Sequence, residues 1–175
     1  MWPDTAEDVK GVWSGNTFVG EDGTPCALYT GYAGRSNESR YGILARSRDG
    51  MLTWEKQVVM RSGQRPHPDT KVHHDGYIWR HANSWYQLVG GTTGGADPQG
   101  AAYLWTSEDL ETWRFRRNIA PGIKFGRFWE LPYLIWIDDR AVLFVGGGVV
   151  FKNPYWLGTF DYDTLVFAPD DPEPR

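Results

Sequence analysis

The chain has 175 residues, a net charge of −4 and 41% hydrophobic residues, 15% of all residues being aromatic. This length and composition support one domain with a packed core and argue against disorder. Both charge signs are mixed along the chain and no apolar stretch reaches membrane-spanning length, so neither a nucleic-acid partner nor a membrane is expected.

Short apolar runs bounded by Gly, Pro, Asn and Asp predict strands and turns rather than helices. The predicted strands fall into three groups of four: 12–19, 26–32, 41–47 and 53–59; 77–80, 85–90, 101–107 and 112–116; 133–137, 141–145, 155–160 and 165–167. The predicted fold class is therefore all-β. We expect one partial domain over 1–175, with blades at about 11–60, 72–117 and 128–168.

A repeat links the three groups. Gly31, Gly91 and Gly147 end similar strands and are spaced by 60 and 56 residues. Residues 47–54 match 107–113 in a Ser-x-Asp turn followed by Thr-Trp, in which Asp and Thr should tie the turn and Trp should pack between blades. Four strands per unit at this period indicate a β-propeller, although a closed ring takes about four to eight blades.

Two carboxylates fall at equivalent places in this repeat. Ser14, Asp75 and Glu130 precede the three repeat glycines by 17, 16 and 17 residues. Carboxylates on equivalent strands around one axis can converge, and a protonated and an ionised carboxyl are what glycoside hydrolysis needs. The competing interpretation is a turn Asp and a surface Glu. The many aromatic residues would likewise either stack on a sugar or fill the core.

Metal and cofactor sites are not expected. His67, His73, His74 and His81 lack metal-ligand spacing, and adjacent strand residues point to opposite faces. The Gly-rich stretch 92–95 lacks the lysine and the following helix of a phosphate-binding loop. Cys26 allows no intrachain disulfide, so the cysteine content leaves the compartment open.

Four segments in order resemble glycoside hydrolase family 32, the β-fructofuranosidases, which are five-bladed propellers. Residues 12–16 look like the family's Trp-Ser-Gly-Ser motif, and 74–79 look like its Arg-Asp-Pro motif with the strand that follows. Residues 129–132 look like Glu-Cys-Pro, and 155–161 look like the next strand of the fourth blade. Each motif is short, but their order and spacing agree over most of the chain.

The resemblance implies a role for each residue. Asp75 would hold the fructosyl hydroxyls and stabilise the transition state, and Glu130 would be the general acid and then the base of a retaining mechanism. Substrate-binding residues would be Trp13, Ser14, His74 and Trp129. The implied partner is a fructoside or oligosaccharide such as sucrose, levan or inulin.

The sequence departs from the family pattern in three places. It has no Asn-Asp-Pro-Asn motif for the nucleophile, and Asp4 is not a candidate for that role. His74 and Gly76 stand where the family has Arg and Pro, and Leu131 stands where it has Cys. We therefore expect blades two to four of a five-bladed enzyme, with little or no hydrolase activity in the isolated chain.

Two alternatives stay open at this point. Residues 47–54 come close to the turn motif of sialidase propellers, so the first alternative is another propeller glycosidase, sialidase-like or arabinanase-like. The replaced Arg and the absent nucleophile motif favour instead a non-catalytic carbohydrate-binding propeller.

Overall fold

The computed structural model describes residues 1–35, 39–61, 64, 73–147 and 153–175, and the side chains of residues 73–75 lie outside that description. Within these ranges, twelve strands form three four-stranded antiparallel sheets. The first sheet holds β1 (Gly11–Val19), β2 (Pro25–Tyr32), β3 (Arg40–Arg46) and β4 (Glu55–Arg61). The second holds β5 (His73–His81), β6 (Ser84–Thr92), β7 (Gly100–Ser107) and β8 (Arg114–Asn118). The third holds β9 (Trp129–Ile137), β10 (Arg140–Gly147), β11 (Tyr155–Asp161) and β12 (Val166–Pro169).

Each sheet is a meander whose first strand is innermost. The strand order in every sheet follows the chain, and β1 contacts β5 while β5 contacts β9. The three sheets are therefore blades placed side by side with their first strands at a common centre, which confirms the predicted all-β propeller architecture. The described residues include no helix long and apolar enough to cross a membrane.

The core lies between blades. One buried cluster joins the first two blades and another joins the second and third. In each of the first two blades, a leucine of the second strand pairs with a leucine of the third strand. These pairs are Leu28 with Leu44 and Leu88 with Leu104, and all four residues are at most 1% exposed. Each fully buried leucine contributes about 1.5–3 kcal/mol, so these repeated pairs stabilise the stacking of blade on blade.

In the first two blades, an aspartate lies at the centre of the turn that connects the third strand to the fourth. Asp49 accepts hydrogen bonds from the backbone and hydroxyl of Thr53, and Asp109 accepts them from the backbone N–H groups of Glu111 and Thr112. The donors at Thr112 and Glu111 lower the pKa of Asp109 to about 2. The predicted strand starts at 53 and 112 were wrong, because these threonines are held in the turns and the strands begin two residues later.

The tryptophans after these turns have different surroundings. Trp113 is buried in the cluster between the first two blades, as predicted, and its indole N–H donates to the carbonyl of Leu110. Trp54 instead packs against a separate buried cluster on the opposite face of the first blade, formed by Ala27, Tyr29, Ile43 and Ala45. This face of the first blade is turned away from the second blade, so Trp54 does not lie between the first and second blades.

A buried ionic cluster fastens the segment before β1 to that face. The Asp8 carboxylate is fully buried and accepts hydrogen bonds from the Tyr29 hydroxyl at 2.7 Å and the Lys56 ammonium at 2.8 Å. Lys56 also contacts Asp4 at 2.5 Å. Burial acts to raise the pKa of Asp8, but the bonds from Lys56, Tyr29 and Thr5 outweigh it and hold the pKa at about 2.

Candidate active site

Each innermost strand has an irregularity at the same end. The pairing register shifts between Val12 and Gly15 in β1, between His74 and Gly76 in β5, and between Glu130 and Tyr133 in β9. A bulge of this kind bends the strand and redirects the side chains beside it. Ser14 and Asp75 lie within the first two bulges and Glu130 borders the third, so the repeat positions found in the sequence coincide with the bulges.

The sequence placed Asp75 and Glu130 just before strands, and the structure corrects this. Asp75 is the third residue of β5 and Glu130 is the second residue of β9. The ladders resume beyond each bulge, where His74 pairs with Gly90 and Glu130 pairs with Gly146. The interrupted alternation of polar and apolar residues at a bulge hid the true strand starts from pattern analysis.

Backbone contacts bring the three positions together. The Asn16 side-chain oxygen accepts from the Ile78 N–H at 2.9 Å, which ties β1 to β5 close to Ser14 and Asp75. Gly90 lies against the backbone of β9, because a Cβ added there would be 2.4 Å from the Trp129 carbonyl oxygen. Since Gly90 pairs with His74, this close approach sets the backbone next to Asp75 beside the backbone next to Glu130.

Glu130 has an exposed side chain that makes no hydrogen bond or ion pair within the described ranges of the chain. The next residue, Leu131, has a φ of 46°, in the left-handed region that costs a non-glycine residue roughly 1–2 kcal/mol. Strain of this kind is concentrated at functional sites. The local backbone therefore presents an accessible carboxylate at the centre of the blades.

Trp129 was predicted to bind substrate, and the structure places its side chain in the core at 1% exposure. Its indole N–H donates to the Phe125 carbonyl at 2.7 Å, and its ring packs against Trp156 at a centroid distance of 5.6 Å. A Cβ at Gly100 would be 2.1 Å from this ring. These contacts fix the start of β9, so the position of Trp129 suits holding Glu130 in place better than touching a ligand.

Trp13 and Ser14 are both exposed at the bulge of β1. The Trp13 ring is 38% exposed, stacks on Tyr32 at 4.5 Å and lies under the Arg40 guanidinium at 5.2 Å. It also forms part of the wall of an open cavity of about 430 Å³. A tryptophan held on one face by another ring is a rigid platform, which is the form that sugar-binding aromatics take.

Sequence reasoning missed Tyr32 and Arg40. They become neighbours of Trp13 through the register in which Tyr32 pairs with both Gly11 and Arg40. The one sequence signal was Tyr32 directly after the repeat glycine Gly31. Arg40 follows a connection of unpredictable geometry and gave no such signal.

The side chains of His74 and Asp75 lie outside the described part of the structure, so their predicted roles stay predictions. All of His67 and the side chain of His73 lie outside it as well. Among the side chains that are described, no group of three His, Cys, Asp or Glu residues is placed to hold a metal ion.

A family model described as the glycosyl hydrolases family 32 N-terminal domain matches residues 1–174. The chain belongs to this family. The resemblance read from the four motifs is confirmed, and the sialidase-like and arabinanase-like alternatives are not favoured.

Relatives with known names support the assignment. Sucrose-6-phosphate hydrolase of Bacillus subtilis is 31% identical over 89% of this chain and 35% of its own length. The insoluble isoenzyme 1 of β-fructofuranosidase from Oryza sativa subsp. indica is 31% identical over 97% of this chain and 32% of its own length. The family 32 chain therefore spans about a third of the length of these relatives.

Solved structures agree in fold. Sucrose-6-phosphate hydrolase of Lactobacillus gasseri superposes with a TM-score of 0.81 at 22% identity, over 98% of this chain and 37% of that one. A mutant β-fructofuranosidase of Bombyx mori in complex with sucrose gives a TM-score of 0.71 at 26% identity, over 91% of this chain and 36% of that one. These likenesses confirm the predicted five-bladed propeller type, of which this chain forms three blades.

Proposed function

We propose that this chain supplies the acid/base part of a retaining β-fructofuranosidase active site. The observation that carries the proposal is the exposed Glu130 carboxylate at the bulge of β9, which has no side-chain partner among the described residues, in a chain that belongs to family 32. A general acid must reach the leaving oxygen, and an accessible carboxylate without a protein partner among the described residues is free to do so.

Glu130 would donate its proton to the leaving glycosidic oxygen as the bond to the fructosyl carbon breaks. It would then take a proton from the water that releases the fructosyl group from the enzyme. Asp75 would accept hydrogen bonds from fructosyl hydroxyls, and its negative charge would stabilise the oxocarbenium-like transition state. The short backbone route through His74, Gly90 and Trp129 supports placing both carboxylates around one sugar.

The sugar itself would rest against Trp13. The exposed part of the indole ring gives an apolar surface for the CH groups of a furanose ring, and the Ser14 hydroxyl can donate to or accept from sugar hydroxyls. Tyr32 and Arg40 would act as positioning residues, because they hold the Trp13 ring rather than contact the ligand.

No residue in 1–175 is assigned to the attacking carboxylate, since the sequence lacks the nucleophile motif. We propose that the isolated chain binds fructosides without turning them over. Sucrose is the first substrate to examine, because the Bombyx mori relative was solved with it, and a structure of fructan 1-exohydrolase IIa from Cichorium intybus holds 1-kestose.

The test is sucrose hydrolysis by the protein expressed from its own gene, with whatever sequence its reading frame carries on either side. Glu130→Gln should lower kcat by about 10²–10⁴-fold, the contribution of a general acid. Glu111→Gln, at an exposed glutamate paired with Arg46, is the matched control and should retain activity. Glu130→Gln with more than a tenth of the wild-type kcat would refute the assigned role.

Binding measurements distinguish the proposed hydrolase from a second candidate function, a non-catalytic carbohydrate-binding propeller. It is favoured by the absent nucleophile motif and by His74 in place of the family's arginine. Sucrose binding without turnover by the protein expressed from its whole reading frame, unaffected by Glu130→Gln but weakened by Trp13→Ala, would support that function instead.

A further inference from the structure

A polar groove opens between the second and third blades, at the end of the blades opposite Glu130. Its volume is about 310 Å³, which lies at the lower end of the range of small-molecule sites. It is bordered by the β5–β6 hairpin, the β7–β8 turn and the β11–β12 turn. We call it the interblade groove. Six of the residues that line it are Tyr86, Thr106, Glu108, Arg114, Arg116 and Tyr162.

The groove is remote from the candidate active site. Asp75 lies near the site end of β5, and His81 lies at its other end, where the hairpin that borders the groove begins. Six residues of strand span roughly 20 Å at about 3.3 Å per residue. A ligand in the interblade groove therefore cannot touch the same sugar as Glu130.

Two tyrosine rings form a rigid corner of the groove. Tyr86 and Tyr162 lie 5.5 Å apart at an interplanar angle of 80°. Tyr162 is fixed by His81, which stacks on it at 3.6 Å, and by the Trp79 indole N–H, which donates to its hydroxyl at 3.2 Å. Such a corner offers an apolar surface with hydroxyls at its edges, already ordered before any ligand arrives.

The facing wall carries hydrogen-bonding groups that the described part of the protein does not use. Arg114 and Arg116 alternate along β8 and both line the groove, and neither guanidinium forms a hydrogen bond or ion pair with the described residues. Glu108 likewise has no partner there, and Thr106 adds a hydroxyl. Guanidinium forks and carboxylates make paired hydrogen bonds to neighbouring hydroxyls, which is the recognition that a sugar requires.

The charge of the lining favours a neutral ligand. The two arginines are opposed by three acidic residues in the lining, Glu108, Asp109 and Asp163. The local charge is therefore slightly negative, and a phosphate or a nucleic acid would meet repulsion as well as attraction.

From these features we propose that the interblade groove is a second, non-catalytic carbohydrate site that binds a neutral oligosaccharide. The choice of a fructan as probe rests on the proposed function, whereas the site itself rests on the aromatic corner and the unpaired polar wall. A site about 20 Å from the catalytic end would hold a distant part of a long chain, or a second chain, against the protein. Its contribution would be local concentration of polymer rather than chemistry.

The test is a ¹H–¹⁵N NMR titration of the full chain with kestose and, separately, with maltotriose. Amide signals of residues 106–116 and 162–165 report the groove, and those of residues 13–16 report the candidate active site, so the two proposals succeed or fail separately. We expect saturable shifts in the groove signals with kestose, and binding at least five-fold weaker in the Arg114→Ala, Arg116→Ala double variant. Arg48→Ala, an exposed arginine of the first blade, is the control.

Each NMR result either supports or overturns the proposal. Groove shifts that persist unchanged in the double variant, or no groove shifts with either sugar, would overturn the proposal whatever happens at residues 13–16. Groove shifts with both sugars would support a general saccharide site, and shifts with kestose alone would support a fructan site. If the double variant does not fold, Arg116→Lys replaces it, because lysine keeps the charge but loses the planar fork.

Discussion

Replacing Lys56 by methionine should destabilise the protein strongly at neutral pH, because it leaves the Asp8 carboxylate buried without its cation. Asp8 is fully buried and the Lys56 side chain is only 4% exposed. The pKa of Asp8, about 2 against an ordinary 3.8, corresponds to roughly 2 kcal/mol at 1.36 kcal/mol per pKa unit. Removal of one partner of a buried pair typically costs about 3–5 kcal/mol, so we expect a loss of about 3 kcal/mol.

The lowered pKa of Asp8 determines how the stability loss in the Lys56 variant changes with pH. The folded-state pKa of Asp8 is depressed, so its stabilising contribution is complete above about pH 4 and is lost as the pH falls towards 2. In the variant, Asp8 should protonate at higher pH and become less costly to bury. The difference in unfolding free energy between wild type and variant should therefore shrink as the pH falls from 7 to 3.

Urea denaturation at pH 7, 5 and 3 measures that difference, with Lys124→Met as the control at an exposed lysine. A difference below about 1 kcal/mol at pH 7, as for an exposed ion pair, would refute the reasoning. So would a difference that stays constant down to pH 3.

Three further changes test contacts between the blades. Gly90→Ala forces a Cβ against the Trp129 carbonyl, and should cost about 1–3 kcal/mol in denaturant unfolding and lower sucrose turnover as well. Asn16→Ala removes both hydrogen bonds to Ile78 and should lower the free energy of unfolding by about 1–2 kcal/mol. Asn16→Asp keeps the oxygen that accepts from the Ile78 N–H, so it should recover the part of the loss that comes from that bond. Trp113→Ala should cost about 3–5 kcal/mol by emptying the space between the first two blades; a loss under 1 kcal/mol would contradict that placement.

The repeat was visible in the sequence because each blade must bury the same faces. The paired leucines and the Asp-centred turns recur at a fixed period, and the backbone positions of Asp75 and Glu130 follow from that period. A pattern that recurs at a fixed period can be counted along the chain, so the blades and the backbone positions of Asp75 and Glu130 at the bulges were predictable from the sequence.

Features that depend on one particular contact were not predictable. Arg40 meets Trp13, and Lys56 meets Asp8, across separations that no local pattern marks. The burial of Trp129 was missed for a related reason, because the sequence does not show whether an aromatic residue beside a candidate glutamate faces a ligand or the core.

The bulges at the starts of β1, β5 and β9 have a consequence for how such a protein can change over evolutionary time. A blade copied by gene duplication carries its bulge with it, so every copy starts with the same break in the strand ladder. Ser14, Asp75 and Glu130 occupy that inherited place with three different chemistries. Selection can therefore exchange one functional group at a time there, while the leucine pairs that hold the blades together stay as they were.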